Sequence, residues 1–275
     1  MRINDTSLET FIIQQYQKSY SEYEKSIQRI VSGERSAADD PAGLAISEKM
    51  RAEINGTNQA SRNVQDATSL VQTADGAMSQ MHSILQRLNT LANQAATGTY
   101  TDEQRTALDE EYQQLVEEMQ DITRDTSFNG ISLLNGTLGE EHGGIIIQTG
   151  AKEGQTMTMF LEGMDLSALA ACDLKTQEGA GNAIGVVQAG IDTLSAQRAR
   201  AGAYQNRLEY KLENLENMAT NLAEAESRIR DVDIAQEMTN LVTHQLKMQV
   251  ATAMLAQVLS MKRQNVAALF GIMAL

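Results

Sequence analysis

Apolar residues recur along much of this chain at alternating gaps of three and four, which places them on one stripe of a helix. The first stripe runs Ile13, Tyr16, Tyr20, Tyr23, Ile27 and Ile30, and stops near Ser32-Gly33. The second is Ala60, Val64, Ala67, Val71, Ala74, Met78, Met81, Leu85, Leu88 and Ala92, without a miss. It predicts one helix from about Ala42 to Thr97, roughly 80 Å long at the standard rise. Thr97-Gly98-Thr99-Tyr100 reads as a turn, and Thr101 or Asp102 can cap a third helix from about Glu103 to Thr126. Leu108, Tyr112, Leu115, Met119 and Ile122 line one face of it, and the short loop folds it back antiparallel on the second helix.

The period then changes. Ser127-Phe128-Asn129-Gly130 is a turn, and residues 144–149 and 156–161 are strand-like around a Gly150–Gly154 turn, which predicts a β-hairpin. Residues 167–181 read as a glycine-containing loop. A second very long helix follows, with Ile184, Val187, Ile191, Leu194, Ala201, Leu208, Leu212, Leu215, Ala219, Leu222 and Ile229 on its stripe and Arg198, Gln205 and Glu226 interrupting it. Past Ile234, Asp and Glu vanish from Thr239 to Leu275. Met238, Leu241, Leu246, Val250, Met254, Leu255, Val258, Leu259, Val266, Leu269, Phe270 and Met273 spread over a wide face that only partners could bury. The expected fold is mainly α: a long antiparallel helical coiled-coil bundle from both chain ends, with a small β-hairpin region. The polymerisation residues expected from these stripes are Ile13, Tyr16, Tyr20, Tyr23, Ile27, Leu246, Val250, Met254, Leu255, Leu259 and Leu269, pairing the ends with each other and with neighbouring subunits.

Composition supports an extended helical chain: one Pro, no Trp and 4% aromatic residues among 275. The net charge of −14 argues against a nucleic-acid partner, which needs clustered Lys and Arg. The single Cys, Cys172, offers no internal disulfide. Met1 to Ser7 lacks an apolar signal-peptide core, and the longest apolar run, Val266 to Leu275, is about half of a membrane span. His82, His142 and His244 are scattered without metal-ligand spacing. Asp39-Asp40 and Asp109-Glu110-Glu111 read as solvated faces or helix-start charges. The expectation is a structural subunit, with no catalytic residue, metal or cofactor.

Several stretches resemble bacterial flagellin. They are Ser32-Gly33 with residues 38–48 (Ala-Asp-Asp-Pro-Ala-Gly-Leu-Ala-Ile-Ser-Glu), residues 58–63 (Asn-Gln-Ala-Ser-Arg-Asn) and residues 72–78 (Gln-Thr-Ala-Asp-Gly-Ala-Met). Residues 128–134 (Phe-Asn-Gly-Ile-Ser-Leu-Leu), 225–233 (Ala-Glu-Ser-Arg-Ile-Arg-Asp-Val-Asp) and 254–257 (Met-Leu-Ala-Gln) continue the match in the family's order. The resemblance implies a short flagellin without variable outer domains, divided as follows. Residues 1–38 and 234–275 form the inner-tube helical domain, and residues 39–178 and 179–233 form an outer rod domain with the hairpin. It further implies self-polymerisation into the extracellular flagellar filament, secretion by flagellar type III export, an export chaperone, and filament cap and junction proteins as partners. Residues 86–92 (Gln-Arg-Leu-Asn-Thr-Leu-Ala) resemble the segment that engages the flagellin-sensing Toll-like receptor, implying roles for Arg87, Leu91 and Glu111. By themselves, Arg87 and Glu111 also read as solvated helix charges and Leu91 as packing. Asp39-Asp40-Pro41 carries a Pro more typical of the hook–filament junction protein, an alternative assignment, and a secreted signalling or adhesive ligand is another.

Overall fold

The computed structural model describes residues 6–36 and 39–272, without the side chains of Thr6 and of residues 265, 266 and 268–272. The elements are α1 (Thr6–Ser32), α2 (Pro41–Ala96), α3 (Asp102–Asp125), β1 (Ser127–Phe128), β2 (Ile131–Ser132), β3 (Ile145–Gln148), β4 (Thr156–Met159), α4 (Ser167–Ala170), α5 (Gln177–Arg230) and α6 (Ile234–Ile272). The expected mainly-α fold with small hairpins is the observed one. Contacts divide the chain into two compact units, 1–51 with 223–275 and 52–222. These limits fall inside α2 and α5, whereas the boundaries expected from the sequence are 38/39, 178/179 and 233/234.

Unit 2, residues 52–222, is a bundle of helices around one core. All ten residues of the α2 stripe are buried in it, together with Tyr112, Val116 and Met119 of α3 and Val187, Leu194, Ala201 and Leu208 of α5. Helix α3 starts at Thr101, whose side chain accepts from the Gln104 amide while the Gln104 side chain accepts from the Thr101 amide. Its antiparallel course on α2 is fixed by Arg105, a buried cation that donates to the carbonyls of Ala95 (2.9 Å) and Thr97 (3.2 Å) where α2 ends. A guanidinium there satisfies carbonyls left without helical partners. Helix α5 also runs antiparallel to α2, as Arg198 reaches Asp75 at 3.0 Å and Gly190 lies against Leu85.

The first turn, Asn129-Gly130, has positive φ at both residues (50° and 80°), the conformation of a tight hairpin between β1 and β2. Strands β3 and β4 pair antiparallel from Ile145 opposite Met159 to Gln148 opposite Thr156. Their turn sits on α2 at Gly56, where an added Cβ would meet the Ala151 Cβ at 2.8 Å. The segment read as loop before α5 is shorter than expected: α4 makes one turn, and helix resumes at Gln177. Thr176 begins it, its hydroxyl accepting from the Gly179 amide at 3.0 Å.

Unit 1 pairs α1 with α6, and their Cα atoms approach within 8 Å. They run antiparallel, Glu9 meeting Lys262 near one end and Arg29 meeting Glu237 near the other. The Pro of Asp39-Asp40-Pro41 has a local explanation. It opens α2, where no amide donor is needed, and Asp40 accepts from the Gly43 amide at 2.8 Å as the cap. That motif therefore reports a helix start and carries no separate argument for a junction protein.

Candidate assembly surface

The α1–α6 seam shares Tyr16 and Tyr23 with the stripe expected in α1 but takes Ile12, Ser19 and Ser26 where that stripe has Ile13, Tyr20 and Ile27. Ile12, Ser19 and Ser26 are buried and Tyr16 and Tyr23 partly so, whereas Ile13, Tyr20 and Ile27 are exposed. The gaps still alternate between four and three; the hydroxymethyl side chains of Ser19 and Ser26 occupy the line of closest approach. Small side chains there let the two backbones come together. On α6 the matching line is Glu237, His244, Met248, Ala251, Leu255, Val258 and Lys262, all buried or half-buried.

The residues expected to polymerise thus separate into two groups. Tyr16, Tyr23 and Leu255 face the helix pair's own seam. Ile13, Tyr20 and Ile27 of α1, and Leu246, Val250, Met254 and Leu259 of α6, stand outside it, with Leu246 55% and Val250 57% exposed. Leu269 lies outside the described side chains, as do Val266 and Phe270; Met273 is beyond the described residues altogether. Part of the exposed set is concave: Leu8, Phe11, Leu246, Val250 and Met254, together with the buried Ile12, line an apolar groove of about 370 Å³. Exposed apolar surface of this extent is the general pattern of interaction sites.

Arg29 and Arg230 clamp the chain passages beside this pair. Arg29 donates to both oxygens of Asp39 (3.0 and 2.7 Å) and to Glu237 at 3.1 Å. Arg230 bridges Glu34 (2.7 Å) and Glu48 (2.6 Å). Between them the two connecting segments pair as a minimal antiparallel bridge, with the Arg35 amide donating to the Arg230 carbonyl (2.8 Å) and the Val232 amide to the Gly33 carbonyl (3.1 Å). Hydrogen bonds from Arg29 hold the Asp39 carboxyl below the usual carboxylate range. For Glu237, burial pushes the other way, but hydrogen bonds with Ser26, Asn240 and Arg29 outweigh it and leave its pKa lowered.

A depressed carboxylate pKa contributes stability that is present above the ordinary carboxylate range and lost as pH falls through the lowered value. The clamp is therefore expected to weaken below about pH 4. Replacing Arg29 by Ala leaves the Glu237 carboxylate without that partner and is expected to cost about 1–3 kcal/mol at neutral pH. It should also flatten the acid dependence of amide exchange in α1 and α6. Exchange that keeps the same pH profile in the variant would remove Arg29 from this role.

In unit 2, Arg87 donates through Nε (2.8 Å) and Nη2 (2.6 Å) to one oxygen of Glu111, and both side chains are exposed. Leu91 differs from the expectation for a contact residue: it is fully buried in the core, so it supports that surface from beneath. Asp109, expected in a solvated acidic run, is buried and accepts from the Leu174 amide at 3.0 Å. Sequence reasoning also passed over Arg105. The usable signal for both was their position, four residues apart, beside an apolar stripe. Among the described residues, no group of His, Cys, Asp and Glu is arranged to hold a metal ion, and no helix is long and apolar enough to cross a membrane.

Comparison with known proteins covers both chain ends. The family model described as the bacterial flagellin N-terminal helical region matches residues 3–138, and the one described as the C-terminal helical region matches residues 184–270. The chain is 45% identical to a flagellin of Halalkalibacterium halodurans over 240 residues, covering 85% of this chain and 87% of that one. It is 38% identical to the flagellin of Bacillus subtilis over 302 residues, covering 97% and 98%. The crystal structure of Bacillus cereus flagellin, 37% identical, superposes with a TM-score of 0.50 over 60% of this chain and 94% of that one.

Proposed function

The chain belongs to the bacterial flagellin family, and from that premise we propose how it builds a filament: through the flanks of its paired terminal helices. It is a structural subunit that self-polymerises into the flagellar filament, and its length fits a short form without variable outer domains. The observation that carries the mechanism is the apolar set left outside the α1–α6 seam, with Leu246, Val250 and Met254 lining one groove. Burying half-exposed side chains of this size contributes about 1 kcal/mol each. Several per contact, repeated along a helical array, favour addition of subunits. The role is structural rather than catalytic. Export through the flagellar type III channel, a chaperone that covers α6 before assembly, and cap and junction proteins at the filament ends complete the proposal. Electron microscopy of purified protein after seeding tests it. Long helical filaments are expected; a protein that stays monomeric on seeds of its own sequence would refute it.

A second role rests on the exposed Arg87–Glu111 pair. The proposal is that this surface engages the flagellin-sensing Toll-like receptor, with Arg87 re-paired to a receptor carboxylate and Leu91 holding α2 in shape beneath it. In a cell reporter assay, Arg87→Ala is expected to raise the half-maximal dose about tenfold, the scale of a charge-assisted hydrogen bond. An unchanged dose response removes the site. Leu91→Ala is a poorer probe, because a cavity there costs about 2–5 kcal/mol in the fold itself.

A further inference from the structure

The chain holds 14 methionines, and their burial is uneven. Met78, Met81, Met119, Met157 and Met159 are in the core of unit 2, and Met164 packs against it. Met50, Met218 and Met248 are half-buried. The exposed methionines among the described residues are Met238, Met254 and Met261, at 47, 49 and 42% exposure, and all three are on α6. Met254 lines the apolar groove beside Phe11 and Val250, and Met261 stands two turns further along the same flank. Met238 is on the opposite flank, near Val242, which is also exposed.

We propose that these three thioethers are a peroxide-sensitive modification site that controls whether the subunit can join a filament. The inference rests on the reading of the α6 flanks as the assembly surface. Each sulfur takes one oxygen atom from a peroxide: the O–O bond breaks, an S–O bond forms, sulfur loses two electrons, and the peroxide leaves as water. The product is a polar, chiral sulfoxide where an apolar, flexible side chain stood. Burying it against a neighbouring subunit without a hydrogen-bond donor is unfavourable. The reaction is selective over the core methionines because those residues are at most 4% exposed. It is reversible by a thiol-dependent methionine sulfoxide reductase, in which two thiols become a disulfide and the sulfoxide oxygen leaves as water.

The test treats the full chain with hydrogen peroxide, locates sulfoxides by peptide mass spectrometry and measures elongation on preformed seeds. Met238, Met254 and Met261 are expected to oxidise before the core methionines, elongation to fall about tenfold, and reductase treatment to restore both. The triple variant Met238→Leu, Met254→Leu, Met261→Leu conserves volume, and its elongation after peroxide should equal its own untreated rate. Normal elongation by wild-type protein sulfoxidised at all three positions overturns the inference, as does equal peroxide loss in the triple variant. Should that variant fail to assemble untreated, the oxidation and reduction of the wild-type protein still decide. A chain lacking residues 254–275 that elongates would instead refute the assembly reading, a separate outcome.

Discussion

Seeded filament growth is expected to fall below detection when residues 254–275 are deleted. The deletion removes Met254 and Leu259 from the exposed flanks and Leu255, Val258 and Lys262 from the seam with α1. Both the contact between copies and the support that shapes it are lost together. Val250→Asp separates the two. Val250 is 57% exposed and lies off the seam, so the monomer should change by no more than about 0.5 kcal/mol. In a contact between copies the new carboxylate would be buried without a partner, which costs several kcal/mol, and elongation should drop at least about 100-fold. Sedimentation and electron microscopy after seeding read both variants. Filaments of normal length from either would sink the terminal-helix mechanism. A secreted signalling or adhesive ligand, by contrast, requires only the Arg87 surface, and a truncated chain would then keep its full activity without ever polymerising.

The buried stripe of α2 was legible in the sequence to the residue. Every member of the α2 stripe from Ala60 to Ala92 is buried, because α2 is covered by several partners and its apolar residues coincide with its covered face. In α1 the same reasoning chose the bulkiest stripe, whereas the seam follows Ile12, Ser19 and Ser26. Closest approach of two helices selects small side chains, and a search for large apolar residues passes over serine. The discrepancy is informative, since Ile13, Tyr20 and Ile27, displaced from the internal seam, become the residues free to meet another copy. In α3 the buried line Arg105, Asp109, Tyr112, Val116 and Met119 shares only Tyr112 and Met119 with the expected stripe, and it carries two charged residues. Their position beside the stripe could signal burial, but their partners, a helix end and the Leu174 amide, are brought near only by the fold. Leu91 shows the limit of a carried-over motif: the matched residue is present, but its side chain is inside.

Replacing Tyr112 by Ala is expected to destabilise unit 2 by about 3–5 kcal/mol. The side chain is fully buried in the core, and its hydroxyl donates to the Leu169 carbonyl at 3.4 Å, so α3 loses both a large apolar contact and its link to α4. Burial pushes the phenol pKa up, so the ring stays neutral across the working range and deprotonation offers no relief. For a unit of this size the loss corresponds to roughly 6–20 °C in the midpoint of thermal unfolding, measured by calorimetry or circular dichroism. Tyr112→Phe, which removes only the hydroxyl, should cost about 1 kcal/mol. An unmoved midpoint in the Ala variant would mean that Tyr112 is not part of the core. The pairing with Val250→Asp makes the experiment sharper than a stability test. Tyr112 belongs to unit 2, whereas the proposed assembly residues belong to unit 1. At a temperature where unit 2 is still folded, Tyr112→Ala should elongate on seeds at close to the normal rate, while Val250→Asp should melt normally and fail to elongate. That crossed outcome would assign stability and assembly to different residues of one chain, whereas loss of elongation in both variants would require the helices of unit 2 to share directly in the contact between subunits.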